Sequence, residues 1–159
     1  MAPEDEKHLK SLLRHIESVR QSCILLGERI IEAGEDKLGI DLIANGQIHD
    51  ASKFRGSEWL YLRADLTGTD KAKMLEQARN QHVKTNPHHP EYWGSIHEMP
   101  KVYLAEAVCD WSARSHEFGN DLREWIKNVA TKKFDMTVQS KVYKQIKDFV
   151  DILLDPSFK

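Results

Sequence analysis

Apolar residues recur at three- and four-residue steps over most of the chain, and this one period commits it to helices that pack through apolar stripes. Residues 4–33 show it most clearly: Leu9, Leu12, Ile16, Val19, Cys23, Leu26 and Ile30 form one stripe, and Gly34 stands where a helix C-cap is expected. A second helix is expected from Asp36 or Lys37 to about Ser52, with Leu38, Leu42, Ile43 and Ile48 apolar and with Gly39 and Gly46 weakening it. Residues 55–69 hold Trp59, Leu60, Leu62 and Leu66 between Gly56 and Gly68, which reads as a short helix in preference to an irregular flap. Asp70 has the place of an N-cap for a helix reaching Thr85, with Leu75, Ala78 and His82 on one face.

Pro87, Pro90 and Pro100 then bound a loop that regular helix cannot traverse, and within it lie His88, His89, Tyr92, Trp93 and His97. Residues 101–118 are apolar nearly all round, the mark of a central buried helix, and Gly119 stops them. Residues 122–132 and 138–154 are amphipathic. They are expected to turn Leu122, Trp125, Ile126 and Val129, then Val142, Ile146, Phe149, Val150 and Leu153, toward the core. No segment alternates as a strand does, and neither repeat nor linker divides the chain. The expected fold class is all-α: one compact helical bundle over residues 1–159.

Composition narrows the function classes. With 23 Lys and Arg against 25 Asp and Glu, the net charge of -2 exerts no global pull toward nucleic acid or anionic lipid. The longest apolar runs, near Cys23 and Ile152, fall far short of the roughly 20 residues that cross a bilayer. The first residues lack the basic and apolar regions of a secretory signal, so a cytoplasmic protein is expected, folding alone or as a homo-oligomer. Two cysteines, Cys23 and Cys109, are too few and too far apart for a thiolate metal knuckle and read as reduced core residues. Histidine is the informative residue: the chain has 8, and five of them fall between His49 and His97.

Side chains able to bind metal sit on separate helices, each on or beside an apolar face. His15 flanks the first stripe, His49 and Asp50 end the second helix, His82 lies on the inward face of the helix that reaches Thr85, and Asp110 interrupts the most apolar helix. A carboxylate in such surroundings is costly unless it is paired, hydrogen-bonded or metal-bound. Glu106 lies one turn before Asp110 on the same face and is placed to orient a histidine ligand.

The order His15, His49-Asp50, Asp110, each on its own helix, resembles the H…HD…D signature of the HD-domain superfamily of metal-dependent phosphohydrolases. The strings His-Asp-Ala-Ser-Lys-Phe (49–54), Asn-Pro-His-His-Pro-Glu-Tyr-Trp (86–93) and Cys-Asp-Trp (109–111) are similar to those of a small HD-like family of bacterial and phage genomes. The resemblance covers His15 to Trp111, and the Gly-Tyr-Pro element of the cyclic-dinucleotide phosphodiesterases is missing. It implies an HD-like bundle in which His82 and His88 or His89 add a second metal position. Asp50 would then bridge two ions, one held by His15, His49 and Asp110 and the other by His82 with His88 or His89. Imidazole and carboxylate donors suit one or two divalent ions of Fe, Mn, Zn, Co or Ni.

The expected activity is hydrolysis of a small phosphorylated metabolite, a nucleotide foremost, with Asp50, Lys53 and Glu106 in the catalytic machinery. Lys53 is expected to neutralise a phosphate oxygen, and Asn86, Tyr92 and Trp93 to shape the substrate mouth. An HD-type non-haem di-iron oxygenase and a non-enzymatic, metal-stabilised interaction module are the alternatives.

Overall fold

A computed structural model describes residues 3–62 and 70–157, and among these there is helix and no strand. The expected all-α class is what the chain adopts. The elements are α1 (Pro3–Glu32), α2 (Asp36–Ile48), α3 (Gly56–Leu62), α4 (Asp70–Thr85), α5 (Lys101–Phe118), α6 (Leu122–Trp125), a π-helical turn (Ile126–Ala130), α7 (Thr131–Lys133) and α8 (Lys141–Leu153). The helix preferred for residues 55–69 is present as α3; Leu66 and Gly68 lie outside the described residues, as does the Asp70 side chain proposed as a cap. No described helix is long and apolar enough to cross a membrane.

Local chemistry sets the helix ends. Gly34 adopts φ +91°, and its N–H reaches the Ile31 carbonyl while the Glu35 N–H reaches that of Ile30, closing α1 with paired C-terminal bonds. Gly119 ends α5 in the same way through Ser115 and His116. The Asp121 carboxylate caps α6 and the Ser140 hydroxyl caps α8, so α8 begins at Lys141, later than the expected residue 138.

The tight turn after Gly34 folds α2 back along α1, and the glycines of α2 are contact points. A Cβ on Gly46 would lie 2.6 Å from Cys23 Cβ, and one on Gly27 would lie 2.8 Å from the Gly39 carbonyl oxygen. Gly39 and Gly46, expected to weaken the helix, let α1 and α2 approach closely. α2 also stops at Ile48, earlier than the expected Ser52, because Asp50 turns into the left-handed region (φ 56°) and a 3-10 turn follows over Ala51–Phe54.

One apolar cluster joins α1, α2, α5, α8 and the 122–133 segment, with Val19, Leu26, Leu42, Val108, Ala130 and Ile146 fully enclosed. Arg29 ties α1 to the end of α8 by donating to the Ile152 and Leu153 carbonyls at 2.8 and 2.7 Å. Both cysteines are free and buried. One expected core residue is not there: Val129 is 44% exposed and Ala130 is enclosed instead. The π turn that contains Val129 inserts one residue, so the 3.6-residue period that placed Val129 inward is broken there.

The α1–α2 contact predicts the sign of a substitution. Helix propensity alone would make Gly46→Ala stabilising by about 1 kcal/mol. The Cβ clash outweighs it, and the variant is expected to be destabilised by about 1–3 kcal/mol in urea unfolding. A midpoint above wild type would contradict the close approach.

Candidate metal centre

His15 of α1, the His49-Asp50 corner after α2, His82 of α4, His88 of the proline-bounded loop and Asp110 of α5 converge, all of them buried. The left-handed turn at Asp50 aims its carboxylate into the middle of this set, a backbone state that Asp tolerates better than most residues. The two oxygens face different partners. Oδ2 lies 3.6 Å from His49 Nε2 and 4.0 Å from His15 Nε2, whereas Oδ1 lies 3.1 Å from His82 Nε2 and 3.4 Å from His88 Nε2. Asp110 Oδ1 is 3.0 Å from His15 Nε2 and its Oδ2 is 3.9 Å from His88 Nε2.

The outer nitrogens of the rings explain what the inner ones offer. His15 Nδ1 is 2.7 Å from Glu117 Oε1, His49 Nδ1 is 2.9 Å from Glu106 Oε1, and His82 Nδ1 is 2.8 Å from Glu58 Oε2. Each Nδ1–H donates to a carboxylate, which leaves the Nε2 lone pair turned inward, as histidine ligands to metals are held. Buried lone pairs then face a buried carboxylate. The Nε2 atoms of His15, His49, His82, His88 and His89, together with Asp50 Oδ1, have no hydrogen bond of proper geometry. Acceptors crowded together in this way need positive charge between them, and this cluster could hold a metal ion. Three overlapping donor groups are close enough: Asp50, His82, His88 and His89; His15, His49 and Asp50; His49, His88 and Asp110, with ligand atoms of each group within 4.8 Å of one another.

Without metal the chain supplies that charge itself. Lys53 places Nζ 2.6 Å from Asp50 Oδ2. α2 has ended before Asp50, and the 3-10 turn is what brings the two residues together. Burial would raise the Asp50 pKa, yet the His82 and His88 rings and the Lys53 ammonium hold it well below the usual value. Burial likewise opposes ionisation of Asp110, and His15 and His49 reverse the effect and keep it lowered. Glu106 is pulled from 4.5 to about 2, burial being outweighed by His49 and His88. Burial disfavours the His88 imidazolium, but Asp50, Glu106 and Asp110 raise its pKa to about 10. Burial and the charge on His88 push His89 down to about 3, so His89 is a neutral imidazole.

A cleft of about 500 Å³ opens onto the site, lined by His15, His82 and His89 and by the cations Lys53, Arg79, Arg114 and Lys133. The residues expected at the substrate mouth are elsewhere. Tyr92 is exposed outside the cleft lining, and Trp93 donates from Nε1 to the Pro87 carbonyl at 2.8 Å while packing on Tyr103. They brace the loop that holds His88. Asn86 donates to the His82 carbonyl at 2.9 Å and to Ser52 Oγ at 3.0 Å, steadying His82 from behind.

Glu58, Glu117, Arg79, Arg114 and Lys133 are not among the site residues expected from the sequence. For α5 a signal existed: Glu106, Asp110, Arg114 and Glu117 form one polar stripe at helical spacing through an apolar helix. Glu58 lies in a segment of ambiguous type and had none.

The cluster makes metal-free stability depend on pH. His88 is raised from 6.5 to about 10, so its contribution is complete below pH 6.5 and lost as pH rises through 10. His89, lowered from 6.5 to about 3, and Glu106, lowered from 4.5 to about 2, withdraw stability on the acid side. Chelator-treated protein should therefore show a lower urea midpoint at about pH 9 than at about pH 7. Saturating metal, if it takes His88 as a ligand and so needs it neutral, should remove that decline. Equal midpoints for the metal-free protein would contradict the charge arrangement.

Neither a curated protein nor a solved structure matches the chain. A family model does: "Family of unknown function (DUF5662)" matches residues 4–155, nearly the full length, and the chain belongs to that family.

Proposed function

We propose that this chain is a metal-dependent phosphohydrolase of the HD type, holding two divalent ions and acting on a small phosphorylated metabolite, a nucleotide foremost. The observation that carries the reading is the Asp50 carboxylate, whose two oxygens face two different sets of inward imidazoles at the head of a cation-lined cleft. His15, His49 and Asp110 would hold one ion, and His82 with His88 or His89 the other, with Asp50 between them. A divalent pair in such a site supplies an ionised water at neutral pH and Lewis acidity toward a phosphoryl oxygen.

The rest is done by the chain. Glu58, Glu106 and Glu117 fix the orientation of the three inner rings. Lys53, Arg79, Arg114 and Lys133 neutralise the phosphate and draw it to the ligand cluster. The opening of the cleft onto His15, His82 and His89 supports catalysis over a structural role, since structural metal sites are closed by protein ligands.

The test is turnover of a panel of phosphate monoesters and diesters by protein loaded with Mn, Fe, Co, Ni or Zn. Asp50→Ala is expected to lose both metal and turnover. Lys53→Ala is expected to keep its metal and lose about 100-fold in kcat, the scale of a single electrostatic contact to a developing anion. Unchanged turnover in Lys53→Ala would contradict its role, and product formation that consumes dioxygen would replace hydrolysis by oxygenation.

A further inference from the structure

Beside the cleft, and sharing His82, His89, Lys53, Arg114 and Lys133 with it, lies a second lobe of about 330 Å³ whose far wall is aromatic. Trp111, Phe118, Trp125 and Phe134 line it. The Trp111 and Phe134 rings lie 5.7 Å apart with planes 15° from parallel, and Trp111 meets Trp125 at 5.5 Å. Phe118, at the end of α5, is 71% exposed. Lys133 holds its ammonium 5.1 Å from the Phe134 ring centre, at the junction of the lobe with the cationic mouth.

The wall depends on the π turn. Trp125 precedes the turn and Lys133 and Phe134 follow it. In an uninterrupted α-helix Phe134, nine positions after Trp125, would point away from it. The inserted residue swings Lys133 and Phe134 round toward the face that carries Trp125, and both line the same lobe. Such turns recur at functional sites, and here the departure from regular helix is what assembles the aromatic wall.

We infer that this lobe receives a planar aromatic ring in the non-phosphate part of the substrate, and that Phe118 and Phe134 select for it. The inference rests on the phosphohydrolase reading for its placement of the phosphate. Charge and continuity name the occupant: an anion bound among Lys53, Arg114 and Lys133 presents its ester group to the aromatic wall, where a flat ring stacks and a saturated one of equal size does not.

The experiment compares 2-phenylethyl phosphate with 2-cyclohexylethyl phosphate, which differ in the planarity of one ring, on metal-loaded protein. Affinity is measured by calorimetric titration and turnover in parallel. Wild type is expected to bind the phenyl ester about 10-fold more tightly, the scale of one aromatic stacking contact. Phe134→Leu and Phe118→Ala should lose that preference while keeping metal content and affinity for the cyclohexyl ester. Phe118 is exposed, so its variant folds even where Phe134→Leu disturbs packing. Equal binding of the two esters, binding of neither, or a preference that survives both variants overturns the ring lobe. Selective binding without hydrolysis leaves the lobe standing and sinks the phosphohydrolase reading.

Discussion

A carboxylate enclosed with five imidazole nitrogens is the constraint around which this molecule is arranged. Asp50 is 1% exposed, and removing a carboxylate from water is tolerable only if positive charge or donors meet it. The inner nitrogens around it have no aligned hydrogen bonds, and the His15, His49 and His82 rings give their other N–H to Glu117, Glu106 and Glu58. The rings are thereby set as acceptors facing an acceptor. Lys53 and a protonated His88 relieve that conflict in the metal-free chain, and divalent ions would relieve it more completely.

The helices serve this geometry. The glycine contacts between α1 and α2 hold the two helices close enough for His15 and the His49-Asp50 corner to share one site. The left-handed turn at Asp50 ends α2 and points its carboxylate inward. α5 contributes Glu106, Asp110 and Glu117 from one face, so three helices are fastened to one another through the site as well as through the apolar core. Rigid helices are suited to this task, since ligand positions must hold to a fraction of an ångström.

Much of this was legible in the residues. The apolar stripe of α1, the all-round apolar α5 and the caps at Gly34 and Gly119 need only local rules, and they hold. The inward residues of α8 also follow their period. His15, His49, Asp50, His82, His88 and Asp110 could be singled out because polar ligand atoms on apolar faces need a reason to be there, and the structure brings them together. What escaped depends on tertiary contact. Gly46 is a packing device only when Cys23 stands opposite, and Val129 turns outward only because it lies within a π turn. Tyr92 and Trp93 looked like a substrate mouth because aromatic residues in a histidine loop suggest one, but their rings brace the loop and the aromatic wall comes from Trp111, Trp125 and Phe134.

The central claim is that Asp50 lies between two metal positions. Anomalous diffraction from crystals grown with manganese or cobalt tests it most directly. Two peaks are predicted, about 3.5–4 Å apart on either side of the Asp50 carboxylate. One should lie about 2 Å from His15 and His49 Nε2 and the other about 2 Å from His82 Nε2. A single peak that Asp50 does not touch, or metal bound only at surface carboxylates, would contradict the account.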